Sequence, residues 1–190
     1  MSEQFDFKKY FSLALLLFFM SAFMGYIFAS ENQELAKEKI KEIISEFKKI
    51  KEFSPLFLFI FIFLNNSIKS LVAALLGIAF GLVPFYFVTV NGFIVGLAVS
   101  LKSKEIGLGK TLLYLIPHGL LEIPAILLAS SYGFWLGALL IRKIVKKDVN
   151  LKMSVKTVVI NCVKIVFPIL LVAALIEVYL TPLIVSLFAH

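Results

Sequence analysis

The sequence predicts an all-α protein: a polytopic membrane helix bundle of about five transmembrane helices, with an amphipathic helix after the first. Of its 190 residues, 61% are hydrophobic and 16% are charged, whereas soluble domains carry roughly 25% charged residues. The apolar residues also fall in long uninterrupted runs, and a helix that crosses a bilayer needs about 20 of them in sequence. We therefore expect one membrane domain over residues 1–190, multi-pass in the cell membrane.

The first transmembrane helix is predicted at residues 10–29, which follow Lys8 and Lys9 and contain no charge. This run exceeds the usual signal-peptide core of about 7 to 15 residues, so we interpret it as a retained helix. Residues 31–52 then place six Glu and six Lys around apolar residues spaced three and four apart. That spacing indicates an amphipathic helix, which lies among lipid headgroups, packs on the other helices or projects toward a partner.

The next apolar stretch, residues 53–101, has Lys69 as its only charge and is about twice too long for one crossing. Gly77, Gly81 and Pro84 lie near its middle and predict a hairpin there. The resulting crossings are residues 55–76 and 84–101.

The remaining crossings are predicted at residues 111–141 and 158–187. The first is about ten residues longer than a crossing needs, and Pro117 and Pro124 lie within it, so we expect it to be kinked or broken. Pro168 and Pro182 are expected to bend the last helix.

Five crossings place the two chain ends on opposite sides of the membrane. The count of Lys and Arg is almost equal on the two sides, because the 31–52 helix and the loop after residue 101 nearly balance Lys8, Lys9 and the 142–156 loop. The Lys residues of the 31–52 helix are matched by Glu, however, while the 142–156 loop holds Asp148 as its one acid. We therefore expect the amino terminus inside.

Polar residues recur where the bilayer core is expected. An ionisable group there costs a few kcal/mol of insertion free energy, so each such residue is expected to have a structural or functional role. Asn65 and Lys69 are four residues apart, as are His118 and Glu122, so each pair shares one helix face. We expect Lys69 and Glu122 to pair inside the bundle, directly or through neighbouring polar groups. The predicted intramembrane polar cluster comprises Asn65, Asn66, Lys69, Asn91, His118 and Glu122.

Two functions remain open for this cluster. It is either polar glue between helices, with each hydrogen bond stabilising by roughly 0.6 to 2 kcal/mol, or the lining of a narrow path as in channels and transporters. A metal site at His118 and Glu122 would need further ligands that the sequence does not supply nearby, and His118 has no nucleophile beside it. The single Cys162 lies in an apolar segment. We predict no enzyme activity, cofactor or metal.

Several glycines are expected to let helices approach closely, within one chain or in self-association. Gly77/Gly81, Gly92/Gly96 and Gly133/Gly137 have small-xxx-small spacing. The predicted close-packing glycines are Gly77, Gly81, Gly92, Gly96 and Gly119.

The polar segments also resemble a known family. The sequences LNN at 64–66, NGFIVGL at 91–97 and PHGLLEIPA at 117–125 resemble the stage II sporulation protein M family of multi-helix membrane proteins. The resemblance implies a membrane component of a larger assembly, whose namesake works in a complex that acts on peptidoglycan through partner proteins. It gives no substrate.

We therefore predict a non-enzymatic membrane-embedded scaffold or component of a larger complex. The alternative is a narrow channel or transporter with an intramembrane polar cluster. The expected partners are the lipid bilayer and other proteins, with self-association as one form. Nucleic acid is excluded, because the net charge of +7 is divided among short loops, where membrane orientation and anionic lipid explain it.

Overall fold

The computed structural model describes residues 4–51, 54–146 and 149–188, with side chains except at 43–51, 114, 116–118, 146 and 185–188. Over these ranges the chain is helical, with short turns between helices. The helices are α1 (Phe7–Glu31), α2 (Gln33–Lys51), α3 (Pro55–Leu75), α4 (Leu82–Ile106), α5 (Leu108–Lys146), α6 (Leu151–Asn161), α7 (Phe167–Leu175) and α8 (Thr181–Phe188).

Five segments are long and apolar enough to cross a membrane, which confirms the predicted fold class. They are Phe7–Glu31, Pro55–Ile78, Leu82–Ile106, Gly119–Val145 and Leu151–Ile184. Three helices start at a capping side chain: Asp6, Ser54 and Asn150 each accept a hydrogen bond from a backbone N–H of the first turn, as N-cap residues do.

α1 and α4 run parallel in close contact. Gly92 lies against Phe18, Gly96 lies against Ala22, and farther along Lys104 donates a hydrogen bond to the carbonyl of Ser30 at 3.2 Å. Residue numbers therefore rise together along the two helices. The buried face of α1 follows a helical spacing of three and four: Tyr10, Ala14, Phe18, Ser21, Gly25 and Ala29.

α3 and α4 form the predicted hairpin, with a 3₁₀ turn at Leu76–Ile78. Gly81 has a φ of 77°, in the left-handed region that glycine adopts without steric cost. The tip of the hairpin packs on α5, where Gly77 meets Gly133 and Gly81 meets Gly137. The contacting residue numbers rise together, from Ala73 with Gly133 to Gly81 with Gly137, so α3 and α5 run parallel.

α5 is the central helix of the bundle. Of its membrane segment 67% is buried, against 17% to 28% in the other four. Its backbone is helical across Pro117 and Pro124 from Leu108 to Lys146, so the segment is not broken, while a bend at these prolines stays a prediction. The largest core cluster joins α5 to the last membrane segment through Ala129, Leu136, Val158, Cys162 and Val166, among other residues.

The last membrane segment contains two π-helical turns, Cys162–Val166 and Ile176–Leu180. Each ends just before a proline-containing first turn, at Pro168 and Pro182. Proline removes one backbone donor and clashes with the carbonyl four residues earlier, and a wider π turn relieves both problems. Thr181 donates a hydrogen bond to the carbonyl of Ile176 at 3.1 Å. The two prolines therefore disturb the helix at the positions where the sequence predicts bends.

α2 packs on the bundle, which was one of the three arrangements predicted for the 31–52 helix. Ala36 is fully buried and lies with Ile40 against Ala29, Leu97 and Leu101. The contacts lie at the carboxyl ends of α1 and α4. α2 therefore covers the end of the bundle opposite the amino terminus.

Candidate functional site

A groove with a cavity of about 570 Å³ lies between α4 and α5 and is the candidate site. α4 contributes Asn91, Val95 and Ala98, and α5 contributes Gly119, Glu122 and Ile123. At its edge Leu120 is 68% exposed, so the groove opens at the surface of the bundle. Its volume is within the range of about 300 to 1,000 Å³ typical of ligand pockets. We call it the α4–α5 groove.

Small residues contribute to the lining of the α4–α5 groove from both helices, Ala98 from α4 and Gly119 from α5. Among the described residues, a Cβ added at Gly119 would contact Ile123 of the same helix alone, at 3.4 Å. Farther along α5, a Cβ added at Gly133 or Gly137 would overlap backbone or Pro84 atoms of other segments. α5 is thus tightly packed in its second half and open in its first. Gly119 was predicted to be a close-packing glycine, and among the described residues no other helix lies within contact distance of it.

Glu122 lies within a candidate membrane span, three residues after the first residue of Gly119–Val145. It lines the groove together with Phe18, which is close to the midpoint of the Phe7–Glu31 span. Its side chain is half-buried and already interacts within the chain. A carboxylate has about four acceptor positions, so Glu122 retains capacity for a further donor that enters the groove.

Asn91 is the other polar side chain among the described groove residues. Its amide nitrogen donates a hydrogen bond to the carbonyl of Phe87, one turn earlier, at 2.7 Å. The amide oxygen is the part of Asn91 that remains to accept a bond. The rest of the described lining consists of Gly, Pro and apolar side chains, so the groove favours an apolar occupant that carries one polar group.

Asn65 and Asn66 do not line the groove. The Asn65 amide donates to the Asn66 side-chain oxygen at 3.2 Å, and both side chains are half-buried on α3. The two residues therefore satisfy part of each other's hydrogen bonding within one helix. The structure brings Asn91 and Glu122 of the predicted cluster to one cavity and leaves this pair outside it.

Lys69 is exposed on α3. The buried face of α3, which includes Ser67, Ser70 and Ala74, packs into the bundle, and Lys69 lies beside that face. Among the described side chains the ion pairs join Lys37 to Glu34, Lys39 to Glu42 and Lys102 to Glu105. The expected pairing of Lys69 with Glu122 is not among them, since Lys69 is exposed on α3 and Glu122 lines the α4–α5 groove.

His118 lies in α5, one turn before Glu122, but its side chain is outside the described residues. The expected contact between these two side chains therefore stays a prediction. Within the part of the chain that the structure describes, no three His, Cys, Asp or Glu side chains lie close enough together to hold a metal ion.

Gly77, Gly92 and Gly96 lie in backbone contact with neighbouring helices, and the structure identifies their partners. Added Cβ atoms at Gly92 and Gly96 would overlap the α1 backbone, and one at Gly77 would overlap Gly133. One contact of this kind was missed: Gly25 of α1 lies against the backbone of Phe93. The signal was present in the small residues Ala14, Ser21, Gly25 and Ala29, which recur at helical spacing.

The second surface of interest is the charged face of α2, which comprises Glu34, Lys37, Glu38, Lys39, Lys41 and Glu42. All six side chains are exposed. Two ion pairs, at 3.0 Å and 2.9 Å, join Lys37 to Glu34 and Lys39 to Glu42, and the second raises the pKa of Lys39 above its usual value. The apolar face holds α2 on the bundle, so this charged face is presented outward from a fixed position.

The comparisons with known proteins agree with the family resemblance that was found in residues 64–66, 91–97 and 117–125. The family described as stage II sporulation protein M matches residues 14–182. An uncharacterized protein of Methanocaldococcus jannaschii is 30% identical over 180 residues, which are 90% of this chain and 92% of that relative. No solved structure gives a significant match. Because the family match takes in nearly the whole chain, this membrane protein belongs to the stage II sporulation protein M family.

Proposed function

We propose that the protein is a non-enzymatic, multi-pass component of the cell membrane that acts by binding other proteins within a larger complex. The observation that carries the proposal is the charged face of α2, which is held on the bundle by Ala36 and Ile40. A charged helix fixed in this way is a preorganised surface, and preorganisation lowers the entropy that a partner must overcome on binding.

The α4–α5 groove supports binding more than conduction. A conduit needs a continuous polar path, and the described groove lining has two polar side chains, Asn91 and Glu122. The amide nitrogen of Asn91 is already bonded to Phe87. Lys69, which the conduit hypothesis would place on the path, is exposed on α3 and does not line the groove.

Replacing four residues of the charged face with serine tests the proposal. The variant carries Glu34→Ser, Lys37→Ser, Lys39→Ser and Glu42→Ser, which removes two ion pairs without changing the net charge. The tagged protein would be purified from its native membrane in mild detergent, and copurifying proteins quantified by mass spectrometry. We expect partners of wild-type protein to fall about tenfold or more in the variant, as for the loss of roughly 1.4 kcal/mol of binding free energy.

The matched control carries Asp6→Ser and Lys8→Ser. It removes two exposed charges at the end of the bundle opposite α2, again without changing net charge, and serine keeps an N-cap oxygen for α1. We expect this control to retain its partners. If the α2 variant retained every partner at wild-type levels, the charged face would not be the binding surface and the proposal would be rejected.

A further inference from the structure

Lys69 is a cation on the outer surface of a membrane helix. It lies in the span Pro55–Ile78, fourteen residues after its first residue and nine before its last. Its side chain is exposed, and no hydrogen bond or ion pair joins it to another described side chain. Because a Lys near the centre of a span costs about 2.5 to 3.5 kcal/mol on insertion scales, this position calls for a compensating group.

Snorkelling does not place the ammonium group of Lys69 in water. At about 1.5 Å per residue, Lys69 lies about 13 Å from the nearer end of its span, which is the carboxyl end. Side chains on a helix point toward its amino terminus, so Lys69 is directed toward the far end and the membrane centre. The compensating group must therefore lie within the membrane.

Lys69 borders an apolar stripe that the described part of the chain leaves uncovered. Large apolar side chains recur every four residues along α3 and are all exposed: Leu56, Ile60, Leu64, Ile68, Val72 and Leu76. An apolar helix face with one cation beside it fits an apolar groove that contains one carboxylate. The α4–α5 groove of this chain has that composition, with Glu122 as the carboxylate.

The depths of the two charges differ by less than two helical turns. α3 and α5 run parallel, and Gly133 lies against both Ala73 and Gly77, so Lys69 is level with residues 125–129 of α5. Glu122 is then three to seven residues nearer the amino end, or about 4.5 to 10 Å along the axis. This offset is in the direction in which the Lys69 side chain points, so the Lys69 ammonium group can reach the depth of the Glu122 carboxylate.

We propose that two copies of the chain associate in the membrane, with α3 of each copy docked into the α4–α5 groove of the other and Lys69 of one copy bonded to Glu122 of the other. Exchange of the same two elements gives a closed, two-fold symmetric dimer in which both ion pairs form. The glycine pairs offer no competing interface, because Gly77, Gly92 and Gly96 are in backbone contact within the chain.

Charge reversal in separate copies tests this arrangement. Lys69→Glu alone or Glu122→Lys alone places like charges opposite each other at both contacts of a homodimer. A mixed dimer of the two variants has opposite charges at both contacts. We expect each variant of the purified full-length chain to dimerise at least about tenfold more weakly than wild type in nanodiscs or detergent, and their equimolar mixture to recover wild-type dimerisation. Native mass spectrometry with one variant isotopically labelled identifies the mixed dimer.

Two further variants keep the test decisive if a charge reversal impairs folding. Lys69→Leu removes the cation and suits a lipid-facing position, so it should insert normally and yet dimerise more weakly. Lys156→Leu removes another exposed lysine of a membrane segment, five residues after its first residue, where the side chain can reach the interface, and should leave dimerisation unchanged. A wild-type chain that stays monomeric over the tested concentrations, or a Lys69→Leu chain that dimerises as wild type does, would overturn the proposal. Neither result bears on binding of other proteins through α2.

Discussion

Glycines allow the helices of this bundle to come into backbone contact, and each contacts a particular neighbour. Gly92 and Gly96 contact the backbone of α1, and Gly77 contacts the backbone of α5. Gly119 is also a glycine, but it lies in a different environment because it borders an open groove. A glycine in a membrane helix is therefore a packing residue only where a second backbone approaches it, which depends on the three-dimensional arrangement.

Alanine substitutions separate these two environments. Gly96→Ala would place a methyl group inside the backbone of Ala22, so α1 and α4 must move apart, at a cost of about 1 to 3 kcal/mol. Gly119→Ala meets ordinary van der Waals contact and gains helix propensity, so its stability should equal or exceed that of wild type. Thermal unfolding in detergent, followed by Trp135 fluorescence, measures both. Equal destabilisation by the two substitutions would contradict the described packing.

The polar residues were harder to place from sequence than the glycines. Helical spacing correctly predicts that Asn65 and Lys69 share a side of α3, but it does not say which neighbour that side meets. Similarly, Glu122 and Asn91 reach one cavity because α4 and α5 are adjacent, a relation between distant segments that a single sequence does not contain. The buried serines, including Ser70 and Ser130, gave no sequence signal because serine is common on every kind of helix surface.

At the scale of the elements, composition predicted the helices and proline chemistry predicted where the last one is irregular. The bounds differ at the ends, since α4 continues to Ile106 where the predicted crossing ends at residue 101. A helix persists beyond its apolar run when its polar residues find partners, here through the ion pair of Lys102 with Glu105 at 2.8 Å. Apolar runs therefore define membrane crossings better than they define helix ends.

The position of α2 gives a prediction about membrane sidedness. α2 and the α4–α5 connection lie at one end of the bundle, and the amino terminus and residues 149–150 lie at the other. The second end has the larger excess of Lys and Arg over acidic residues, so we expect it to face the cytoplasm.

Cysteine labelling in intact cells measures this orientation. In a Cys162→Ser background, we expect Gly109→Cys to react with a membrane-impermeant maleimide and Asn150→Cys to react only after the membrane is permeabilised. Both positions are exposed, and Gly109 has open space around it, so the control after permeabilisation should label both. Labelling of Asn150→Cys alone in intact cells would show the opposite orientation.

At the scale of the whole molecule, the bundle is organised around α5, which packs tightly along its second half and leaves a groove along its first. The charged face of α2 and the α4–α5 groove are therefore separate sites. This division suits a component that contacts one partner beyond the membrane and another within it. It does not suit a conduit, which would need its polar groups in one continuous path.

Flux through proteoliposomes tests this account most directly. The purified protein and its Glu122→Gln variant would be reconstituted at equal density, and the passage of small ions and neutral solutes would be followed by entrapped dyes, with protein-free vesicles as the baseline. Because the described groove is almost wholly apolar, we predict that both proteins leave the flux at the baseline. Flux through the wild-type protein that disappears with Glu122→Gln would show that Glu122 lines a conduit, and would contradict the account.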